Sequence, residues 1–210
     1  DFPTCILNIG GISNVTIIKE PVGTNGFISR DIGPGNCLID SWVRKNSKYK
    51  FDRGGLLASA GNRNDIIFEQ AQELFINRIN KKALSFDVND FDVSFARGLS
   101  LEDGATTLTD FTASIIGAAL FSLLSNVSNK FWKILVCGGG RKNQFLIKKI
   151  KKNTLKNSII QPIDDYGIDG DFVESQAFAF LAIRSLLKFP ITFPDTTGCS
   201  KPCLGGEIIK

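Results

Sequence analysis

Three short apolar runs open the chain, each separated from the next by turn-forming residues. They cover residues 4–11, 14–19 and 26–32, and the residues between them are rich in Gly, Asn and Ser. Short runs punctuated in this way are typical of strands joined by turns. The pattern therefore predicts an antiparallel meander of three strands.

The rest of the chain alternates helical and extended patterns. Leu38, Trp42 and either Ile39 or Val43 fall on one side of a helix that starts just past Asn36. The predicted elements, in order, are a helix at 37–45, a polar region at 46–64, a helix at 65–80, an irregular segment at 81–103, a helix at 109–125, a strand at 133–137, a helix at 143–152, a strand at 158–162, a helix at 171–187 and a tail at 189–210 that packs across other elements.

This element order predicts an α/β fold. A meander, a helix, a helical insertion at 46–108 and then two strand–helix units give a mixed five-stranded sheet with helices on both faces. The same order occurs in the ribonuclease H-like lobe of actin-like ATPases and sugar kinases. We therefore expect residues 1–210 to form one such lobe.

Composition narrows the chemistry. Histidine is absent from the 210 residues, which removes the usual general base, the Ser-His and Cys-His nucleophile pairs and the commonest zinc ligand. Acid–base chemistry must then fall to carboxylates. The net charge of +4 comes mostly from lysines at 148–156 without interleaved aromatic residues, which favours a solvated helix face over nucleic-acid binding.

The cysteines and the apolar runs predict a cytoplasmic protein without a membrane span. The five cysteines are odd in number and mostly lie in apolar stretches, as reduced thiols do. The longest apolar run, 111–124, is shorter than a membrane span and contains polar residues, which indicates a buried helix. No signal peptide is visible, and because a strand begins at Thr4 after a first residue that is not Met, we expect the chain to be cut from a longer one.

The first glycine motif, residues 8–14, lies at the turn between the first two predicted strands. Glycine lacks the Cβ that keeps a phosphate from the backbone, and it permits positive-φ turns whose N–H groups converge on an anion. An ordinary hairpin turn explains the glycines equally well. The neutral polar side chains crowding the turn favour phosphate contact, and the candidate phosphate-binding residues are Asn8, Gly10, Gly11, Ser13 and Asn14.

Two carboxylates are candidates for metal or sugar binding. Asp31 ends the third predicted strand and is followed by Gly33-Pro34-Gly35-Asn36, where Asn36 is expected to cap the next helix. Glu174 opens the last predicted helix, where an acidic residue also suits the helix dipole. Asp31, Asn36 and Glu174 are therefore the candidate metal or sugar residues.

The second glycine loop follows the strand at 133–137 and opens a helix. Gly138, Gly139, Gly140 and Asn143 are candidates for contact with a nucleotide held between two such loops. A dinucleotide fingerprint is the alternative, but it requires glycine where Asn143 stands, and it belongs at the start of a fold rather than late in it.

Six strings together resemble the C-terminal part of the anhydro-N-acetylmuramic acid kinase family. They are 7–16 (LNIGGISNVT), 31–40 (DIGPGNCLID), 105–113 (ATTLTDFTA), 136–143 (VCGGGRKN), 174–182 (ESQAFAFLA) and 197–206 (TGCSKPCLGG). The resemblance implies a two-lobed actin-like fold, ATP and Mg²⁺ as reactants, and a homodimer. It implies that the adenosine pocket is lined by Gly138, Gly139, Gly140 and Asn143. It also implies hydrolysis of a 1,6-anhydro bridge coupled to phosphorylation of O6, which gives N-acetylmuramic acid 6-phosphate in peptidoglycan recycling.

The resemblance also implies what this chain lacks. The family's first phosphate loop and the aspartate that activates water are expected upstream, so no catalytic residue is assigned here and the chain alone is predicted to be inactive. Where the family usually has Pro-Pro-Lys-Ser and then Gly-Arg-Glu, this chain has Ala83-Leu84-Ser85 and Asp87-Val88-Asn89-Asp90. Two alternatives remain, a degenerate nucleotide-binding module without catalysis and a dinucleotide-dependent oxidoreductase.

Overall fold

One mixed sheet organises the part of the chain that the computed structural model describes, which is residues 4–18, 27–79, 85–125, 131–207 and 209. Its five described strands are β1 (Thr4–Ile9), β2 (Ile12–Ile18), β3 (Phe27–Pro34), β4 (Trp132–Cys137) and β5 (Ser158–Pro162). They lie in the order β3-β2-β1-β4-β5. The first three pair antiparallel, and β1, β4 and β5 run parallel. The predicted mixed five-stranded sheet is confirmed.

The helices follow the predicted alternation. They are α1 (Cys37–Asn46), α2 (Leu56–Ala60), α3 (Asp65–Ile79), α4 (Leu101–Ser125), α5 (Gln144–Asn153), α6 (Val173–Leu186) and α7 (Pro194–Thr197). Short 3₁₀ turns connect several of them, including one at Val88–Asp90 inside the segment predicted to be irregular.

The connections leave the centre of the sheet in opposite directions. From β1 the chain proceeds to β2 and β3 on one side, whereas from β4 it proceeds to β5 on the other. A reversal of this kind between neighbouring parallel strands opens a crevice at their carboxyl ends, which is where open α/β sheets bind ligands. Here the reversal lies between β1 and β4, whose carboxyl ends are Ile9 and Cys137.

The main core lies on one face of this sheet. Alternate residues of β1 and β2 are buried, among them Leu7, Ile9 and Val15, and they form one cluster with residues of α1 to α5. α4 is its largest helical contributor. That helix is long and apolar enough to cross a membrane, but 67% of its apolar window is buried inside the fold, which fits the predicted buried helix.

The opposite face of the sheet is covered unequally. A small cluster of Leu135, Cys137 and Ile163 lies there with Val173 at the start of α6. The rest of α6 contains no buried residue, and Phe178, Phe180 and other large apolar side chains on it are more than half exposed. Helices therefore meet both faces, as predicted, but α6 does so only at its first turn.

Several predicted boundaries were wrong, and α4 differs most. It begins at Leu101 rather than at 109, because Thr106 and Thr107 bond back to the carbonyls of Glu102 and Asp103 and so remain compatible with the helix. The short helix α2 was missed inside the predicted polar region. The predicted strand ends at 19 and 26, the helix end at 80, and Ala83 and Leu84 lie outside the described residues.

Candidate functional site

The β1–β2 turn is fastened to the segment that enters α1. The backbone N–H of Gly35 donates to the Gly11 carbonyl at 2.9 Å, and that of Asn36 donates to the Gly10 carbonyl at 2.8 Å. The Asn36 side-chain amide donates to the Gly10 carbonyl as well, at 3.0 Å, and to that of Ile9 at 3.3 Å. The first two sequence motifs are thus one piece of structure.

These bonds correct two expectations. Gly10 and Gly11 do not have positive φ, and the Gly10 N–H donates to the Ile12 carbonyl, so this turn is not the predicted anion-binding nest. Asn36 occupies the position before α1, but its side chain makes no capping hydrogen bond. It braces the glycine turn instead.

Ser13 is a structural residue of the turn in this conformation. Its side chain is completely buried, and its hydroxyl donates to the Pro34 carbonyl at 3.1 Å, beside an irregularity in the β2–β3 pairing. A buried hydroxyl with a partner does not face an open cleft. The predicted phosphate contact of Ser13 therefore has no support from its position.

The second glycine loop lies directly against the end of β1. Gly138 has a φ of 77°, and a Cβ there would come within 2.4 Å of Asn8 Oδ1 and 2.7 Å of the Ile9 carbonyl. A Cβ on Gly140 would lie 2.2 Å from Ile9 Cγ2. Only glycine allows this approach. The two glycine loops therefore lie side by side at the carboxyl ends of β1 and β4, as predicted.

Gly139 occupies a different position in the loop. It is exposed, and the nearest atom to a Cβ there is the Asn36 side-chain nitrogen at 4.0 Å. The space in front of its backbone is open, so this glycine is not required by packing. That opening is where a ligand could approach the main chain.

Asn143 ends the loop as the cap of α5. Its Oδ1 accepts from the Leu146 N–H at 3.0 Å, and the residue is nearly buried beside Gly55. Its predicted contact with adenosine stays a prediction, since capping already accounts for this asparagine.

Asn8, Asn14 and Asp31 form a polar row across β1, β2 and β3. Asn8 is paired with Asn14, and Asn14 with Asp31, so their side chains share one face of the sheet. Asn14 and Asp31 line an open cavity of about 760 Å³ together with Pro194 and residues 196–198 of the tail. One Asp31 oxygen accepts from the Phe86 N–H at 2.9 Å. This carboxylate therefore sits where a polar ligand can reach it.

The sequence comparison decides the family. The model of the family described as "Anhydro-N-acetylmuramic acid kinase" matches residues 1–210. The chain belongs to this family. Relatives with that name are 49% identical over 208 residues in Pelagibacter ubique, 39% over 207 in Zymomonas mobilis and 37% over 211 in Brucella canis.

The match covers nearly all of this chain and about half of each relative. It spans 99% of the chain and 55% of the Pelagibacter protein, and 98% and 54% for Zymomonas. For Brucella canis the shares are 99% and 54%. Among solved structures, the "Activator of the 2-Hydroxyisocaproyl-CoA Dehydratase from Clostridium difficile with bound ADPNP" is 11% identical, with a TM-score of 0.41, over 76% of this chain and 54% of that one.

Glu174 of this kinase-family chain lies on α6 and is not part of the polar row on β1, β2 and β3. It is exposed in the first turn of α6. α6 begins shortly after Gly170, whose carbonyl accepts from the Gly138 N–H at 3.1 Å, so the helix starts near the second glycine loop in space. Whether Glu174 serves a sugar stays a prediction.

The sequence analysis missed Arg141. Its guanidinium pairs with the carboxylates of Asp164 and Asp171. These hydrogen bonds raise the pKa of Arg141 and hold the pKa of both carboxyls below their usual range. The two aspartates follow β5 at sequence distances that no local pattern connects to Arg141. In the string GGGRKN, only the glycines and Asn143 match patterns that indicate a ligand contact.

The cysteines near the site are protonated at neutral pH. Burial raises the pKa of both Cys37 and Cys137 to about 11. A thiol is a weak nucleophile compared with its thiolate. These residues therefore supply no nucleophile to the glycine loops.

Proposed function

We propose that this chain supplies the nucleotide-gripping half of an ATP-dependent sugar kinase. The complete protein hydrolyses the 1,6-anhydro bridge of anhydro-N-acetylmuramic acid and phosphorylates O6, giving N-acetylmuramic acid 6-phosphate for peptidoglycan recycling. Membership in the family supports the reaction, and the geometry supports the location of the nucleotide.

One observation carries the proposal. The loops at 10–11 and 138–140 come from distant parts of the sequence, yet Asn8 and Ile9 of the first region pack against Gly138 and Gly140 of the second. They meet where the strand connections reverse, at the carboxyl ends of β1 and β4. The adenosine would lie along Gly138, Gly139 and Gly140, and the phosphates toward Asn14 and the exposed Gly11, since the Gly10 N–H already donates to the Ile12 carbonyl.

The antiparallel pairing of β1, β2 and β3 argues against the oxidoreductase alternative. A dinucleotide-binding fold places its glycine fingerprint after the first strand of a parallel βαβ unit. Here β1 leads into an antiparallel hairpin, and the loop at 138–140 follows the fourth strand. The glycines therefore lack the structural setting of that fingerprint.

Mg²⁺ would enter with the phosphates. Among the described residues there is no group of three acidic or cysteine side chains that could hold a metal ion. Magnesium commonly binds through one or two carboxylates with substrate phosphates and water, and Asp31 is positioned to serve as such a carboxylate. The metal supplies charge neutralisation to the transferring phosphoryl group.

The chain spans about half the length of its curated relatives, and we propose that the other half completes the site. The first phosphate loop and the water-activating aspartate would come from there, so this chain by itself transfers no phosphate. We also propose that the complete protein is a cytoplasmic homodimer whose only partners in the reaction are ATP and the amino sugar.

Nucleotide binding is tested by thermal unfolding of the complete protein with Mg·ADP or NAD. We expect Mg·ADP to raise Tm, because a ligand that binds the folded state at about 100 times its Kd adds about 2.7 kcal/mol. Gly139→Ala should leave the ligand-free Tm unchanged, since its Cβ enters open space, and should weaken ADP binding about tenfold by blocking approach to the backbone. Gln70→Ala, an exposed neutral change on α3, is the control.

The outcomes separate the three functions. Stabilisation by NAD alone would favour the oxidoreductase, and stabilisation by neither ligand would refute the nucleotide site. If ADP stabilises the complete protein but no phosphate reaches the anhydro sugar, the protein is a degenerate module. Phosphate transfer by the complete protein supports the kinase.

A further inference from the structure

A buried arginine ties the second glycine loop to the segment after β5. The Arg141 side chain is 6% exposed, whereas the side chains of Asp164 and Asp171 are 39% and 44% exposed. Its Nε and Nη2 donate to the two oxygens of Asp164 at 2.7 and 2.9 Å. Its Nη1 donates to Asp171 at 2.7 Å and to the Gly138 carbonyl at 3.1 Å.

These bonds close a ring that includes the backbone. The Gly138 N–H donates to the Gly170 carbonyl at 3.1 Å, and the Gly170 N–H donates to Asp164 Oδ1 at 3.3 Å. A Cβ on Gly170 would lie 2.4 Å from Arg141 Nε, so the guanidinium lies directly over that backbone. Both backbone polar groups of Gly138 are therefore hydrogen-bonded within this ring, the N–H to the Gly170 carbonyl and the carbonyl to the Arg141 guanidinium.

The geometry points to Arg141 as a positioning residue for the nucleotide. This inference rests on the proposed function. We infer that the Arg141 guanidinium fixes the Gly138–Gly140 backbone in its ligand-ready shape before the nucleotide arrives, without itself touching the nucleotide. Preorganisation of this kind gains affinity because the loop loses no further freedom on binding.

Positioning the loop requires the planar, forked set of N–H donors that a guanidinium offers. Arginine can bind both oxygens of Asp164 and still reach Asp171 and a carbonyl, whereas lysine offers a single point charge. Arg141→Lys keeps the charge but loses the fork, so it separates electrostatics from positioning. Lys142, whose ammonium pairs with Asp171 on the exposed side, does not contact the Gly138 carbonyl and cannot substitute for it.

The test measures Mg·ADP affinity and amide exchange in the complete protein. We expect Arg141→Lys and Arg141→Gln each to raise the Kd for ADP about tenfold, the size of losing charge-assisted hydrogen bonds. Hydrogen exchange of the peptide covering 138–142 should speed up in the free variants and slow again when ADP saturates them. In phosphate transfer, KM for ATP should rise and kcat should stay within about twofold, because the guanidinium acts only on binding.

Arg63 provides a matched control. It forms an exposed pair with Asp65, with its Nε at 2.7 Å from Oδ1, at the start of α3. Arg63→Lys and Arg63→Gln make the same chemical changes and should leave ADP binding unchanged. If the Arg141 variants do not fold, Asp171→Asn removes the negative charge from one acceptor of the ring and should raise the Kd by a few fold.

Three results would overturn the inference. An ADP affinity of the Arg141 or Asp171 variants equal to that of the unchanged protein would remove the positioning role while leaving the nucleotide site intact. A fall in kcat with unchanged KM would assign Arg141 to the transition state instead. Failure of the unchanged protein to bind ADP would refute the proposed function itself, and this inference with it.

Discussion

Asp40 carries a charge that the fold disfavours. It lies in the first turn of α1, and burial is the main reason that its pKa rises to about 6, with a smaller contribution from Asp52. Arg44, one turn further along the helix at 4.0 Å, opposes that rise. Folding therefore destabilises the ionised form of Asp40 relative to the neutral form. An ionised carboxyl near a helix N-terminus is usually stabilised by the helix dipole.

This shift predicts a pH-dependent gain from Asp40→Asn. Because the folded pKa exceeds the unfolded value of about 3.9, the contribution of Asp40 to stability is fully present below the unfolded pKa and is lost as pH rises through about 6. The variant should match the parent near pH 4 and gain about 1 to 3 kcal/mol at pH 8. Urea unfolding at both pH values measures this, with exposed Glu73→Gln as control. An equal effect at both pH values would contradict it.

At the scale of elements, a mostly buried ion pair joins α4 to α5. Lys149 Nζ lies 2.7 Å from Asp110 Oδ1 and donates to Oδ2 at 2.9 Å, and the Asp110 side chain is only 8% exposed. The helices approach closely here, since a Cβ on Gly117 would lie 2.6 Å from Asn153 Cβ. Asp110 consequently depends on Lys149 as the partner for its charge.

Removing Lys149 alone should lower the free energy of unfolding more than removing the charges of both Lys149 and Asp110. Lys149→Met is expected to lower the free energy of unfolding by roughly 2 to 4 kcal/mol, because it leaves a buried carboxylate unpaired. The double variant Asp110→Asn/Lys149→Met should recover at least half of that loss. Denaturant unfolding of the single and double variants measures the coupling. If the losses simply add, the pair does not stabilise this helix contact.

The elements that the sequence predicted best have regular patterns. β5 was predicted at its observed bounds of Ser158–Pro162, since apolar residues there lie between clear turn signals. The start of α4 could not be predicted, because Gly104, Thr106 and Thr107 read as poor helix formers. In the structure, a Cβ on Gly104 would lie 2.2 Å from the Trp42 ring, so packing against α1 overrides propensity.

The same distinction applies to the candidate site, where some features depend on local patterns and others on contacts between residues far apart in sequence. The meeting of two glycine loops followed from the strand order, which local patterns predict. The bonds from Asn36 to the turn and from Arg141 to Asp164 and Asp171 join residues far apart in sequence, and their geometry depends on the finished fold. Residue type alone therefore assigned Ser13 and Asn36 to ligand contact, whereas their positions give them structural roles.

At the scale of the whole molecule, protection from solvent is uneven. Most of α4 is buried, from Gly104 to Leu124, whereas α6 has no buried residue and displays Phe178, Phe180 and Ile183. Arg184 connects α6 to the tail through the Pro190 carbonyl at 2.7 Å. Helical hydrogen bonds without tertiary cover open at lower free energy than those in the core.

Hydrogen exchange of this chain should show that difference. We expect amides of 176–186 to exchange at least about 100-fold faster than those of 108–120, because only the latter require global opening. Mass spectrometry of peptides from the two helices measures both in one experiment. Comparable protection of α6 would mean that another surface covers it.

The central place of β1 has a consequence for how the protein is made. Thr4 pairs with Ile18 on one side and with Lys133 on the other, so β1 cannot complete its pairing until β4, which lies far along the chain, has also been synthesised. Contacts this distant in sequence slow folding. A deletion of residues 4–9 would divide the sheet through its middle and separate the two glycine loops from each other.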